Sequence, residues 1–227
     1  MHSPFIKYYV CLGILVNLLS GCYSGNKHSA NIFHYNEQTG IASLDPAFAK
    51  NQSIMWAVHQ VYNTLVEVDS GLHIKPSLAK SWTISPDRLT YTFVLRDDVF
   101  FQDDGCFEGG KGRKMVAKDV VYSFKRILDP AVASSGAWIF NGKLDSLTPF
   151  QAINDTTFQL KLVRPYSPVI GILSMQYCSV VPREAVFFYK DAFRRHPVGT
   201  GPFQFVAWEE GLSLILKKNN HYFERDH

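Results

Sequence analysis

No run in this sequence of 227 residues is comfortably long enough to span a membrane, which takes about 20 apolar residues. Charge of one sign is not in excess either: 23 Lys and Arg stand against 20 Asp and Glu. They are dispersed, with no basic stripe interleaved with aromatics, so nucleic acid is not an expected partner. No unit of about 20–50 residues recurs, which argues against a solenoid. The signatures of catalysis are missing as well. There is no G-x-S-x-G elbow, and the eight histidines form neither H-E-x-x-H nor a Cys/His pair at zinc spacing. The adjacent carboxylates Asp97-Asp98 and Asp103-Asp104 would point to opposite faces of a strand, so they make no acid/base pair. No enzyme activity, metal or cofactor is expected.

One nucleotide signal comes close. Gly105, Gly110 and Lys111 in GCFEGGKG satisfy G-x-x-x-x-G-K, but Gly112 stands where a Ser or Thr would hold Mg²⁺. Asp103 and Asp104 precede it where phosphates would have to sit. An elongated, exposed loop is the better reading.

What is present is a substantial apolar content, 46% hydrophobic and 14% aromatic, which fits a globular core. At the start, Lys7 precedes an apolar run over residues 8–19, broken only by Gly13 and Asn17. It suits a secretory signal peptide, against the alternatives of an uncleaved anchor or a core helix. The run ends on Ser20-Gly21-Cys22. Leu19-Ser20-Gly21-Cys22 resembles the lipobox of bacterial lipoproteins, which implies that Cys22 is lipidated and becomes the mature N-terminus. The small polar residues of YSGNKHSAN then suit a tether. Of the four cysteines, Cys11 would leave with the leader. Cys106 and Cys178 would pair in an oxidising compartment only if their Cα atoms approach closely enough, which sequence does not show; two unpaired small apolar side chains are the expected reading.

Periodicity places the elements. NIFHYN reads as a short strand. NQSIMWAVHQVYNTL carries Ile54, Val58, Val61, Tyr62 and Leu65 on one helical face. VEVDSGLHI is a hairpin turned at Asp69-Ser70-Gly71, and KPSLAKSW a short helical turn with Trp82 plugging an apolar gap. WTISPDRLTYTFVLR, FQAINDTTFQLKLVR and GPFQFVAWEEGLSLILKKN are further hairpins, turned at Pro86-Asp87, Asn154-Asp155 and Glu210-Gly211. AKDVVYSFKRILDP is the clearest helix, with its stripe at Val120, Val121, Phe124, Ile127 and Leu128 and its stop at Pro130. SPVIGILSM and REAVFFYKDAF are shorter helices, with CSVVP a strand between them. The mixture is α+β.

The pieces also resemble a family. SLDP (43–46), VYNTLVEVD (61–69), PSLAKSW (76–82), YTFVLRDDVFFQD (91–103), AKDVVYSFKRILDP (117–130), VPREA (181–185), GTGPFQF (199–205) and NNHYF (219–223) are similar, in order, to the family 5 solute-binding proteins of ABC importers. The resemblance implies the first lobe of a two-lobed, type II periplasmic-binding-protein-like fold, here incomplete. Residues 1–21 are expected as leader, 22–30 as tether and 31–227 as the N-terminal portion of the lobe. By the same resemblance, the second lobe and the strands that return from it are expected to be missing from these residues. The implied partners are an oligopeptide or similar small solute, the importer's permease subunits and, through Cys22, a membrane. The implied ligand-facing positions are Gly40, Ile41 and Ala42, whose main chain would lie along a peptide, and Met175, Gln176 and Tyr177 on the cleft wall. Gly199 and Gly201 are expected to supply positive φ. Hairpins from GPFQF onward are expected to lack partner strands. A lipid-anchored interaction module, or a half-receptor completed by another chain, is the alternative; an extracytoplasmic hydrolase is a minor one.

Overall fold

Helix α1 (Gln52–Val61) begins where the Asn51 side chain accepts the Ile54 amide at 3.0 Å, an N-cap worth about 1 kcal/mol. In the computed structural model, which describes residues 32–37 and 39–224, α1 buries Ile54, Val58 and Val61. Contacts divide the chain into Met1–Asn36 and Glu37–His227. In the first unit, residues 32–36 run exposed without a strand, contrary to the reading of NIFHYN. A strand needs a ladder partner, and none of the described sheets includes this segment. The leader, Cys22 and the tether lie outside the described residues.

After α1 the chain extends through Tyr62, and Tyr62 and Leu65 are buried beyond the helix end. Strands β1 (Val66–Val68) and β2 (Ile74–Pro76) form an antiparallel pair. Asp69 accepts the amides of Gly71 and His73 in the turn between them, at 2.8 and 2.9 Å. The next segment departs from the expected helical turn. Ser77 and Ala79 donate to the Leu65 carbonyl and Leu78 to that of Thr64. Leu78 and Ala79 are thereby drawn fully into the core, and tertiary pairing overrides local helix preference. The chain runs straight into β3 (Ala79–Ile84).

β3 joins β4 (Thr90–Leu95), β5 (Phe150–Asn154) and β6 (Thr157–Lys161) in a sheet of order β3-β4-β6-β5, every pair antiparallel. Tyr91, Phe93 and Leu95 share its buried face, as their alternation predicts. Trp82 is half-buried, its ring 6.4 Å from that of Phe93. Helix α2 (Ala117–Leu128) packs on β5 and β6. Phe124 is its hub, with the rings of Phe140, Phe150 and Phe158 centred 5.4, 5.5 and 5.5 Å away. Val120 and Ile127 are buried beside it, while Val121 and Leu128 are half covered. The expected α+β class holds: this antiparallel sheet, two small hairpins and separate helices make the fold.

The Gly-rich loop is pinned, not simply exposed. Asp103 takes the Lys111 ammonium at 2.7 Å and the Gly112 amide at 2.9 Å, so the groups that would hold a phosphate already hold a carboxylate. Phe107 and Met115 are buried. Arg113 bridges Asp119 on α2 and Glu184, with two bonds of 2.7–2.8 Å to each. That bidentate grip holds the Glu184 carboxyl below its usual range.

Helix α3 (Val169–Ile172) follows, then α4 (Arg183–Tyr189), and then the hairpin of β7 (Phe203–Glu209) and β8 (Ser213–Lys218). CSVVP forms no strand: Cys178 ends a 3-10 turn, and the chain is extended from Ser179. Val180 donates to the Asn63 carbonyl and Val181 to the Ser123 hydroxyl, so its second amide goes to a side chain and no ladder continues. The β7–β8 pair stands as a two-stranded sheet among the described residues, with Val206, Leu212 and Ile215 more than half exposed.

The hairpin is tied down by polar groups from the shared motifs. Gly201 donates to the Val61 carbonyl at 2.8 Å. The Gln102 amide group donates to the carbonyls of Gly201 and Phe203 at 3.2 and 2.7 Å, and Asn219 donates to that of Gly201 at 2.9 Å. Thr200 donates to Asn63 at 3.0 Å. Gly199 and Gly201 do not have positive φ; Gly109, Gly110, Gly142 and Gly211 do. Their requirement is space. A Cβ at Gly199 would lie 2.1 Å from the Val61 oxygen, and one at Gly201 2.5 Å from the Val61 carbonyl carbon.

Candidate functional site

The segment SLDP is locked. Ser43, Leu44, Asp45 and Pro46 are all buried. Asp45 accepts the Ala47 amide at 3.0 Å and opens a 3-10 turn over Pro46–Phe48. The same carboxylate takes the Arg126 guanidinium of α2 through two bonds of 2.8 and 2.6 Å. Arg126 lies over the Phe193 ring at 5.4 Å, and Leu44 donates to the Arg194 carbonyl at 2.8 Å. A buried bidentate ion pair therefore fixes where the preceding residues emerge.

Those residues are Gly40, Ile41 and Ala42. Gly40 and Ala42 are exposed, and Ile41 is half-buried against the core. Arg194 donates to the Ala42 carbonyl at 3.2 Å. No hydrogen bond joins the main chain of Gly40 or Ile41 to another described residue. At Gly40 and Ile41 the arrangement offers amide and carbonyl groups with no partner among the described residues, beside a rigid base, which is what recognition of an extended main chain requires.

Met175, Gln176 and Tyr177 sit at a second 3-10 turn, Gln176–Cys178. This turn packs against both the Pro46–Phe48 turn and α1, so the two candidate stretches lead into neighbouring turns. Met175 and Gln176 are half-buried. The Gln176 amide group lies 3.1 Å from Nδ1 of His59 on α1. Tyr177 is turned into the core: its ring packs under Gly136, where a Cβ would come within 2.5 Å of it, and its hydroxyl meets that of Ser135 at 3.4 Å.

His59 is the neighbour that the sequence reading did not place here. Its spacing from Trp56 on the exposed side of α1 was a usable signal; its pairing with Gln176, far away in the chain, was not visible. Trp138, 51% exposed, follows the Ser134–Gly136 stretch, which is anchored by a Ser134 bond to the Ala47 carbonyl at 2.6 Å.

A half-open pocket lies elsewhere. A cavity of about 190 Å³ is lined by Gln102, Asp103, Lys111, Gln204 and Asn219 among others, between the Gly-rich loop and the β7–β8 hairpin. It sits among groups already spent on tying down that hairpin, whereas the Gly40–Ala42 surface is an open wall. Among the described residues, neither thiol is poised as a nucleophile. Burial pushes Cys178 well above the ordinary range, and burial with the nearby Asp104 pushes Cys106 up to about 12.

Comparison with known proteins extends this picture. The sequence profile of "Bacterial extracellular solute-binding proteins, family 5 Middle" matches residues 73–227. The chain is 29% identical over 215 residues to a glutathione-binding protein, GsiB, of Escherichia coli, covering 95% of this chain and 39% of that one. Among solved structures, the periplasmic binding protein DppA of Helicobacter pylori, in complex with the peptide STSA, superposes with a TM-score of 0.72 at 34% identity. That match covers 81% of this chain and 38% of the other. NikZ of Campylobacter jejuni, in complex with Ni(L-His), gives a TM-score of 0.69 at 30% identity, over 83% of this chain and 35% of the other. The fold is thus part of a periplasmic binding protein, spanning less than half the length of each relative. The profile match over most of the sequence, together with the order of its motifs and the shared fold, makes this chain a member of the family 5 bacterial extracellular solute-binding proteins.

Proposed function

We propose that this chain is the N-terminal lobe portion of a substrate-binding lipoprotein of a peptide-type ABC importer. It captures oligopeptides outside the cytoplasmic membrane and presents them to the permease subunits. The observation that carries this reading is the main chain at Gly40–Ile41, which forms no hydrogen bond to another described residue and leads into the buried Asp45–Arg126 pair. Ala42, Met175 and Gln176 complete the proposed ligand wall, with His59 bonded to it and the Tyr177 ring buried behind it as support. Support comes from relatives whose ligands include glutathione and the peptide STSA.

The wall is one side of a cleft. Main-chain bonds open to water give little net energy, about 0.5–1.5 kcal/mol each. In calorimetry with mixed di- to pentapeptides, the chain of 227 residues is expected to bind weakly, with Kd of about 1 mM or above. Micromolar binding by the chain alone would contradict the one-sided wall.

The anchor belongs to the same proposal. Cys22 carries lipid and begins the mature protein, since two or more acyl chains hold a protein stably at a membrane. Mass spectrometry of the protein from its host is expected to find an acylated N-terminal Cys22. An intact, unmodified leader beginning at Met1 would refute it.

A further inference from the structure

Helices α2 and α4 share an outer face that the ligand wall does not use. On α4, Phe187 and Phe188 are 68% and 60% exposed, although rings of this size are normally covered. Phe187 meets Tyr122 of α2 at 6.3 Å. Around these rings stand four exposed cations. Lys118 and Lys125 lie one turn to either side of Tyr122 on its helix face, Arg183 lies one turn before Phe187, and Lys190 follows α4. Among the described residues none of the four forms an ion pair, whereas Arg113, Arg126, Arg194 and Arg195 do. The acids of these two helices are turned away: Asp119 and Glu184 are both held by Arg113. Asp191 is the exposed acid nearest in sequence to the rings.

We propose that this face docks on an anionic lipid surface, with the Phe187 and Phe188 rings at the headgroup boundary and the cations among the phosphates. Exposed aromatic rings ringed by Lys and Arg are the chemistry of an interfacial contact. Three of the four cations are Lys, a hydrated point charge suited to a diffuse layer of headgroups more than to a forked, residue-by-residue match. The inference does not rest on the ligand wall or on Cys22.

The test is co-sedimentation of the full chain carrying Cys22→Ser, so that no lipid is attached, with phosphatidylcholine vesicles that contain or lack phosphatidylglycerol. Phe187→Ser/Phe188→Ser and Lys118→Gln/Lys125→Gln are compared in that background, with thermal unfolding as the check on folding. The expected result is a phosphatidylglycerol-dependent partition that falls on the order of tenfold in each variant while the melting temperature holds. Partition that is the same in all three proteins overturns the proposal. So does partition indifferent to phosphatidylglycerol, or a variant effect confined to capture by a purified permease.

Discussion

Replacing Asp45 by alanine lowers the free energy of unfolding by about 3–5 kcal/mol, the usual cost of leaving one partner of a buried ion pair behind. Asp45 and Arg126 keep only 4% and 13% of their side-chain surface, and two short bonds join them. Without the carboxylate, the guanidinium stays over the Phe193 ring with its charge unmatched, and the Pro46–Phe48 turn loses the acceptor for the Ala47 amide. The double variant Asp45→Ala/Arg126→Met is expected to recover a large part of the loss, because an apolar pair removes both desolvation costs. Urea unfolding of the single and double variants measures both. A single-variant loss below about 1 kcal/mol, the scale of a surface ion pair, would show that SLDP is not locked in this way.

The second large effect is expected at Gly199. Alanine there brings a Cβ to 2.1 Å from the Val61 carbonyl oxygen. That atom is backbone, at the end of α1, and it also accepts the Gly201 amide. Neither side can yield without parting the hairpin from the helix, so the cost sits at or above the upper end of overpacking, about 3 kcal/mol. Gly211 offers the control. It has φ +76 at the hairpin turn and open space around it, so Gly211→Ala costs only the strain of a left-handed residue, about 1–2 kcal/mol. Thermal unfolding should rank Gly199→Ala as clearly the more damaging. The reverse order would mean that positive φ, not close approach, is what this hairpin needs.

The Gly199 case shows where sequence reasoning stops. Glycine in GTGPF was legible as a backbone requirement, but glycine serves two needs and only the fold says which. Elements fixed by local periodicity were read correctly: α2, the hairpins turned at Asp69, Asn154 and Gly211, and α1 up to Val61, although Tyr62 and Leu65 lie beyond its end. Their patterns and turn residues are contained in a few neighbouring positions. Elements fixed by distant partners were not. Residues 77–79 became extended because the carbonyls of Thr64 and Leu65 accept their amides, the chain from Ala79 onward because it pairs with β4, and the Val181 amide of CSVVP went to the Ser123 hydroxyl in place of a ladder. The candidate wall divides in the same way. The motif SLDP pointed to Gly40–Ala42, but nothing in the sequence pairs Asp45 with Arg126 or His59 with Gln176.

The central claim is that the main chain at Gly40–Ala42 is a ligand-facing wall. The most direct measurement is an amide chemical-shift titration of the labelled chain with a tetrapeptide, at the millimolar concentrations that weak binding demands. The account predicts saturable shifts clustered at Gly40, Ile41, Ala42 and the Met175–Tyr177 turn, with β7 and β8 unmoved. Shifts confined to the β7–β8 hairpin and the cavity beneath it, or none at all, would contradict it.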